Sequence, residues 1–323
     1  MLKVSAALAS HFFELKRCTA KARSRFSISP YALKGVVSHL NRTGRINPPL
    51  QSYKSLIMNI LIIGGGNMGL TYAQAFVRSH VTTRENLMIL EHLEEKAKQL
   101  KQLDLGMVYL DSKKCLSKAD IIILAVKPQD SVALFEQIRK NTDGGQVYLS
   151  IMAGVTIKAI QEKLGVKKVI RAMPNLPAQI GQGMTAFTAT DEVTRLELAM
   201  VQNLLATTGK AVYVEKESMI DATTAISGSG PAYVYYFMDA MMQAARQMGF
   251  TEAEAEMLVV QTFTGAVDLY NKTDLSCADW IKRVSSRGGT TEAALNSFKI
   301  NTLHQDIIDG AMAALDRAVE LGK

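Results

Sequence analysis

Apolar positions along the chain are grouped in two different ways, and the change falls near residue 218. Before it come short runs in which almost every position is apolar: 59–63 (NILII), 87–90 (LMIL), 108–110, 120–126 (DIIILAV), 146–151 and 168–172. Runs this short, without polar alternation, predict strands covered on both faces, as in a parallel sheet. The stretches between them, 70–78, 91–103, 131–140 and 156–164, read as helices. Two more strands, near 184–189 and 211–215 with a helix between them, complete this part. Such alternation is the signature of a doubly wound α/β sheet. After 218 no strand pattern remains, and 219–226, 231–248, 252–272, 277–284, 291–298 and 304–321 all read as helices. Gly249 followed by Thr251 supplies a helix stop and the next N-cap. A small all-helical segment rich in Ala and Met has little surface of its own on which to hide apolar faces. Association with a second copy through this half is the expected solution.

The first apolar run ends abruptly in three glycines. Gly64, Gly66 and Gly69 have the G-x-G-x-x-G spacing, with Gly65, Asn67 and Met68 completing the turn before the helix. In a Rossmann-type turn the first glycine makes the bend and the second lets a pyrophosphate approach the backbone. The third lets helix and strand pack closely, while the helix N-terminus offers free N–H groups and a partial positive charge. A glycine-rich turn that binds nothing is the plain alternative, but strand, turn and helix stand here in the required order. Glu91 ends the next apolar run. An acid at that place accepts hydrogen bonds from the adenine-ribose hydroxyls and repels a 2′-phosphate. Neither His92 nor Leu93 supplies an arginine for that phosphate, so NADH is expected in preference to NADPH. The predicted architecture is a Rossmann-type doubly wound domain over 58–217 followed by an all-helical dimerisation domain over 218–323.

Charge changes the picture only at the N-terminus. The formal net charge is +7, but residues 1–57 hold ten Lys or Arg against a single acid, Glu14, leaving 27 basic and 29 acidic residues elsewhere. The body is mildly acidic, and no nucleic-acid surface is expected. The leader is basic, serine-containing and acid-poor, with Pro48-Pro49 near its end. It reads as a mitochondrial transit peptide, as a basic interaction arm, or as an upstream stretch outside the native protein, since Met58 immediately precedes the first strand. The expected location is the cytoplasm, or the mitochondrion if the leader is a genuine transit peptide. No apolar run approaches the roughly 20 residues of a membrane helix, so no membrane partner is expected. Cys18, Cys115 and Cys277 are scattered, as are the five histidines; no metal site is expected, and a reducing compartment fits.

Four loops carry candidate chemistry. Ala125, Val126, Lys127 and Pro128 lie at the end of a central strand, the edge at which open parallel sheets bind ligands; a proline strand stop is the bland alternative. The stretch 171–177 (RAMPNLP), which includes Asn175, is held rigid by two prolines and suits either a pocket wall or a plain turn. The stretch 227–231 (SGSGP) precedes a long helix, with Pro231 in its first turn; its glycines serve a ligand or only close helix packing. In 285–291 (SSRGGTT) hydroxyl residues and glycines at a helix start offer several donors in a concave turn, a receptacle for a carboxylate or phosphate. A bland capped turn needs only one Ser or Thr.

GGGNMG, AVKPQ, IRAMPN-x-P, SGSGPAYVYYFMDA and SS-x-GGTT, in this order and at these separations, resemble pyrroline-5-carboxylate reductases over about residues 58–323. The resemblance implies reduction of a cyclic imine, 1-pyrroline-5-carboxylate, to L-proline by NADH or NADPH, the last step of proline synthesis. It also implies a homodimer interlocked through the helical domain, often assembled further. By resemblance, nicotinamide lies between the 125–128 turn and the turn at Ala153 and Gly154. The substrate carboxylate is held by Ser286, Gly288, Gly289, Thr290 and Thr291, with the Thr291 hydroxyl placed to bond or protonate the ring nitrogen. Glu217 matches a family acid near the substrate that favours the iminium electrostatically. An iminium is already electrophilic, so positioning supplies much of the rate without a strong general acid.

Three positions depart from the family pattern: Arg287 stands where proline is usual, Leu176 where threonine is usual, and Glu91 where a small polar residue is usual. The first loosens the carboxylate turn or adds a cation to it, the second removes a hydroxyl near the cofactor, and the third bears on cofactor choice. A related imine or hydroxyacid reductase and a catalytically silent nucleotide-binding scaffold are the alternative readings. The absence of histidine from the motifs argues against hydroxyacid dehydrogenation, and the retained Thr291 against a silent scaffold.

Overall fold

The computed structural model describes residues 58–322, and the expectations for 1–57 lie outside the described residues. Eight strands form one sheet: β1 (Ile60–Ile63), β2 (Leu87–Leu90), β3 (Met107–Tyr109), β4 (Ile121–Leu124), β5 (Val147–Ser150), β6 (Val169–Met173), β7 (Gly183–Ala189) and β8 (Gly209–Tyr213). Their spatial order is β3-β2-β1-β4-β5-β6-β7-β8, so the chain starts in the middle, winds one way to β3 and then the other. Every residue of β1, β2, β4 and β5 is buried, which explains the lack of polar alternation in those runs. Successive side chains point to opposite faces. Ile60, Ile62, Ile89 and Ile123 join Tyr72 and Phe76 in one apolar layer, while Leu61, Ile63, Met88 and Leu124 build the other.

All neighbouring strands run parallel except β6 and β7. A parallel pair needs a crossover of a dozen or more residues, and the link from Met173 to Gly183 holds only a 3-10 turn, Leu176–Ile180. The chain therefore doubles back there. Five helices accompany the sheet: α1 (Asn67–Arg78), α2 (Glu94–Gln102), α3 (Ser131–Ile138), α4 (Ile157–Leu164) and α5 (Arg195–Ala206). Helix α1 starts three residues earlier than the pattern suggests, so Asn67, Met68 and Gly69 form its first turn.

After β8 only helices follow among the described residues: α6 (Ser218–Thr223), α7 (Gly230–Gln247), α8 (Glu252–Tyr270), α9 (Cys277–Val284), α10 (Thr290–Ile300) and α11 (Leu303–Glu320). Thr251 caps α8 in a reciprocal box with Glu254, the arrangement that satisfies two orphan amides at once. The SGSGP motif is a correction to the sequence reading, which placed it in a loop. Residues 224–228 form a π turn that carries α6 directly into α7, with Ser229 N–H bonded to the Thr224 carbonyl at 2.9 Å. Gly228 lies against Met173 here, where a Cβ would stand 2.9 Å from Met173 Cε. Helices α7, α9 and α10 have no buried residue. Tyr236 and Met248 are each 77% exposed and Ile300 81%. Among the described residues no helix is long and apolar enough to cross a membrane.

Candidate active site

The three glycines of the first turn differ in what surrounds them. Gly64 has φ +102°, and a Cβ on it would stand 2.8 Å from the Ala125 carbonyl oxygen. A Cβ on Gly69 would stand 2.0 Å from the Gly64 carbonyl oxygen, so only glycine lets α1 close onto β1. A Cβ on Gly66 would meet nothing within 4 Å. The protein itself gives no packing reason for glycine at 66, and open space over a bare backbone is what an approaching pyrophosphate requires. The residues fit a dinucleotide. Beside this turn a cavity of about 280 Å³ is lined by Gly64, His92, Val126 and Gln129. The structure thus brings the 64–69 and 125–128 turns together, and Ala125 N–H continues the ladder to Ile63 at 2.9 Å. Lys127, exposed at this edge, caps a 3-10 turn, Pro128–Asp130.

Glu91 closes the same end of the sheet from β2. It is only 3% exposed; Oε2 accepts from Gly65 N–H at 3.2 Å and Oε1 from Leu93 N–H at 3.2 Å. Lys96 Nζ lies 3.3 Å from Oε2 and His92 Nδ1 3.2 Å from Oε1. Burial opposes ionisation, but the Leu93 and Gly65 amides and the Lys96 charge outweigh it, so the carboxyl sits below its ordinary value. Lys96 lies in the first turn of α2, and nothing in its sequence spacing marks it as Glu91's partner.

The segment 153–157 leads from β5 into α4. Gly154 is left-handed, at φ +73°, and packs beneath Leu321 at the end of α11. Glu217 does not stand free. Its Oε1 accepts from Ile157 N–H at 2.8 Å and from Arg171 Nη1 at 2.9 Å, while Arg171 Nη2 reaches Asp221 at 2.5 Å. Arg171 is 1% exposed within β6, and a buried guanidinium needs such carboxylates. That geometry gives Glu217 partners in α4 and β6. A charge inside the apolar run VIRAM was the available signal that partners must exist.

Asn175 Oδ1 accepts from Met184 N–H at 2.9 Å, which fixes the 174–177 loop against β7. With Pro177, Ile226, Ser227 and Tyr233 it lines an open cleft of about 600 Å³. The Ser227 hydroxyl there is buried with no partner among the described residues. Leu176 is 47% exposed beside it.

The hydrogen bonds of the 285–291 turn are local. Gly288 has φ +76°, Gly289 N–H bonds to the Ser286 carbonyl at 3.0 Å, and Gly288 N–H donates to Glu292 at 2.7 Å. A Cβ on Gly289 would stand 2.6 Å from Ser286 Oγ. Helix α10 begins at Thr290 with Gly289 as N-cap and no side-chain cap, so the Thr290 and Thr291 hydroxyls are not used to cap it. Arg287 is exposed in the turn.

Comparison with known proteins gives the same picture. Residues 217–321 match the family profile described as pyrroline-5-carboxylate reductase dimerisation, and 59–154 match one described as NADP oxidoreductase coenzyme F420-dependent. Pyrroline-5-carboxylate reductase 2 of Bacillus subtilis is 34% identical over 261 residues, covering 80% of this chain and 93% of that one. The Pseudomonas aeruginosa reductase is 31% identical over 265 residues, 82% of this chain and 97% of the relative. Among solved structures, the pyrroline-5-carboxylate reductase of Coxiella burnetii superposes with a TM-score of 0.75 at 30% identity, covering 82% of this chain and 99% of that one. The Plasmodium falciparum pyrroline carboxylate reductase, solved with NADP bound, gives 0.75 at 25% identity over 82% and 98%. With motifs, fold and two relatives above 30% identity in agreement, this chain belongs to the pyrroline-5-carboxylate reductase family.

Proposed function

We propose that the protein reduces 1-pyrroline-5-carboxylate to L-proline with NADH or NADPH. The observation that carries this reading is an open Gly66 backbone in the dinucleotide turn, in a chain whose helical half carries the SSRGGTT turn. The sheet half through Glu217 serves as the nucleotide domain, and 218–323 as the substrate and dimerisation domain. Gly64, Gly65, Gly66, Asn67, Met68 and Gly69 hold the pyrophosphate, and Glu91 faces the adenine ribose. Ala125, Val126, Lys127 and Pro128, with Ala153, Gly154 and Asn175, surround the nicotinamide end. A reduced nicotinamide bound there supplies a hydride to the imine carbon. The 286–291 turn holds the substrate carboxylate, and the Thr291 hydroxyl bonds the ring nitrogen, which takes its proton from solvent before the hydride arrives. Positioning dominates, because a protonated imine is already electrophilic.

The exposed faces of α7, α9 and α10 support a homodimer through the helical half: so much apolar surface without cover marks an interface. The ionised Glu91 supports preference for NADH, with Lys96 tempering its repulsion of a 2′-phosphate. A steady-state assay with 1-pyrroline-5-carboxylate and each reduced nicotinamide tests the reaction and the preference together. Equal or better efficiency with NADPH would overturn the preference and leave the reaction standing.

A further inference from the structure

The turn at Ala153 and Gly154 is held at two points, one at the boundary of the two halves and one at the end of α11. Glu217, immediately before α6, accepts a hydrogen bond at 2.8 Å from the amide of Ile157, the first residue of α4. The same oxygen accepts from Arg171 at 2.9 Å. A guanidinium buried to this degree is fixed by its surroundings, so it fixes Glu217 and, through Glu217, the start of α4. Gly154 meets the second stop: a Cβ on it would stand 2.8 Å from the Leu321 carbonyl oxygen. Gly322 closes the contact, since a Cβ there would stand 2.9 Å from the Gly154 carbonyl oxygen.

We infer that Glu217 is a positioning residue for the nicotinamide side of the cofactor site, holding the 153–157 segment through the Ile157 amide, with Leu321 as its second support. This rests on the reading that nicotinamide lies against Ala153 and Gly154. The junction between the two halves then sets the wall against which the hydride donor rests. Such alignment matters, because a misplacement of about 1 Å costs on the order of a hundredfold in rate. Asp221 is the internal comparison: it pairs with the same guanidinium, and its hydrogen bond runs to Arg171 and not to α4.

The test compares dissociation constants for NADH and for ADP-ribose in the full chain. ADP-ribose reports the 64–69 end of the site and lacks nicotinamide. Glu217→Ala is expected to weaken NADH by about tenfold and lower kcat, with ADP-ribose changed by less than about twofold. Glu217→Gln keeps an acceptor for the Ile157 amide and is expected to restore most of the NADH affinity. Asp221→Ala is expected to lower Tm comparably without the selective loss. Equal losses for both ligands, the same NADH loss in Asp221→Ala, or no rescue by glutamine would overturn the inference. Should Glu217→Ala not fold, Arg171→Met combined with Glu217→Ala removes the orphaned cation and is read the same way. Gly154→Ala separates the two layers of argument. Loss of NADH affinity there upholds nicotinamide at this turn; no loss removes that reading, and the inference falls with it.

Discussion

Glu91 Oε2 accepts a hydrogen bond from Gly65 N–H across 3.2 Å, joining the acid that ends β2 to the glycine turn that ends β1. The Leu93 amide fixes the other oxygen at 3.2 Å. The carboxylate is therefore oriented and ionised beside the glycine turn, and this relationship has consequences for cofactor choice and for stability.

Glu91→Gln is expected to raise the NADPH to NADH ratio of kcat/KM by roughly tenfold, about 1.4 kcal/mol, by removing a negative charge from the ribose end. Lys96→Ala removes the counter-charge and is expected to move the ratio the other way. An unchanged ratio in both variants would place cofactor selection elsewhere.

Acid should weaken the fold. Burial opposes ionisation of Glu197 also, but Lys168 at 2.7 Å and the Thr194 cap outweigh it, so its carboxyl is depressed like that of Glu91. A carboxyl with a lowered folded-state pKa contributes stability that is complete above its unfolded value and lost as pH falls through the folded one. Tm is expected to drop below about pH 4.5, the ordinary glutamate value. Glu91→Gln should flatten that part of the profile; an identical acid limb would show that Glu91 contributes nothing to it.

Two glycines of one motif should fail differently. Gly69→Ala forces a Cβ to within 2.0 Å of a carbonyl oxygen and is expected to cost about 1–3 kcal/mol or more of stability. Gly66→Ala meets no protein atom within 4 Å and should leave Tm nearly unchanged while weakening dinucleotide binding by roughly tenfold or more. Calorimetry and cofactor titration separate the two; a stable Gly69→Ala protein would contradict the packing argument.

Thr291→Val keeps the shape of threonine and removes the hydroxyl. A hydrogen bond to a charged group contributes about 1.5–3 kcal/mol, so kcat/KM is expected to fall by roughly one to two powers of ten. Cofactor affinity should be nearly intact. Unchanged turnover would reduce Thr291 to a helix-start residue. A fall in kcat marks a contact made in the transition state, and a rise in KM one made equally in the bound substrate.

The sheet was legible because runs such as ILII and IIIL are buried on both faces, and burial on both faces removes the polar alternation that otherwise obscures a strand. The glycine turn was legible because each glycine answers a separate geometric demand. The π turn at 224–228 was not, since Ser and Gly favour loops locally and nothing in the spacing of SGSGP marks a helical passage. The reversal at β7 depends on the short 174–182 link rather than on any residue of the strand itself. Glu217 could be matched to a family position but not to its contacts. Its partners Ile157 and Arg171 lie 60 and 46 residues away, and no one-dimensional pattern encodes such a meeting.

The most direct measurement is product identification in a stopped reaction of the purified protein with 1-pyrroline-5-carboxylate and reduced nicotinamide. The expected result is one L-proline formed per nicotinamide oxidised, with the larger kcat/KM for NADH. Cofactor binding without any L-proline from either NADH or NADPH would contradict the assigned reaction.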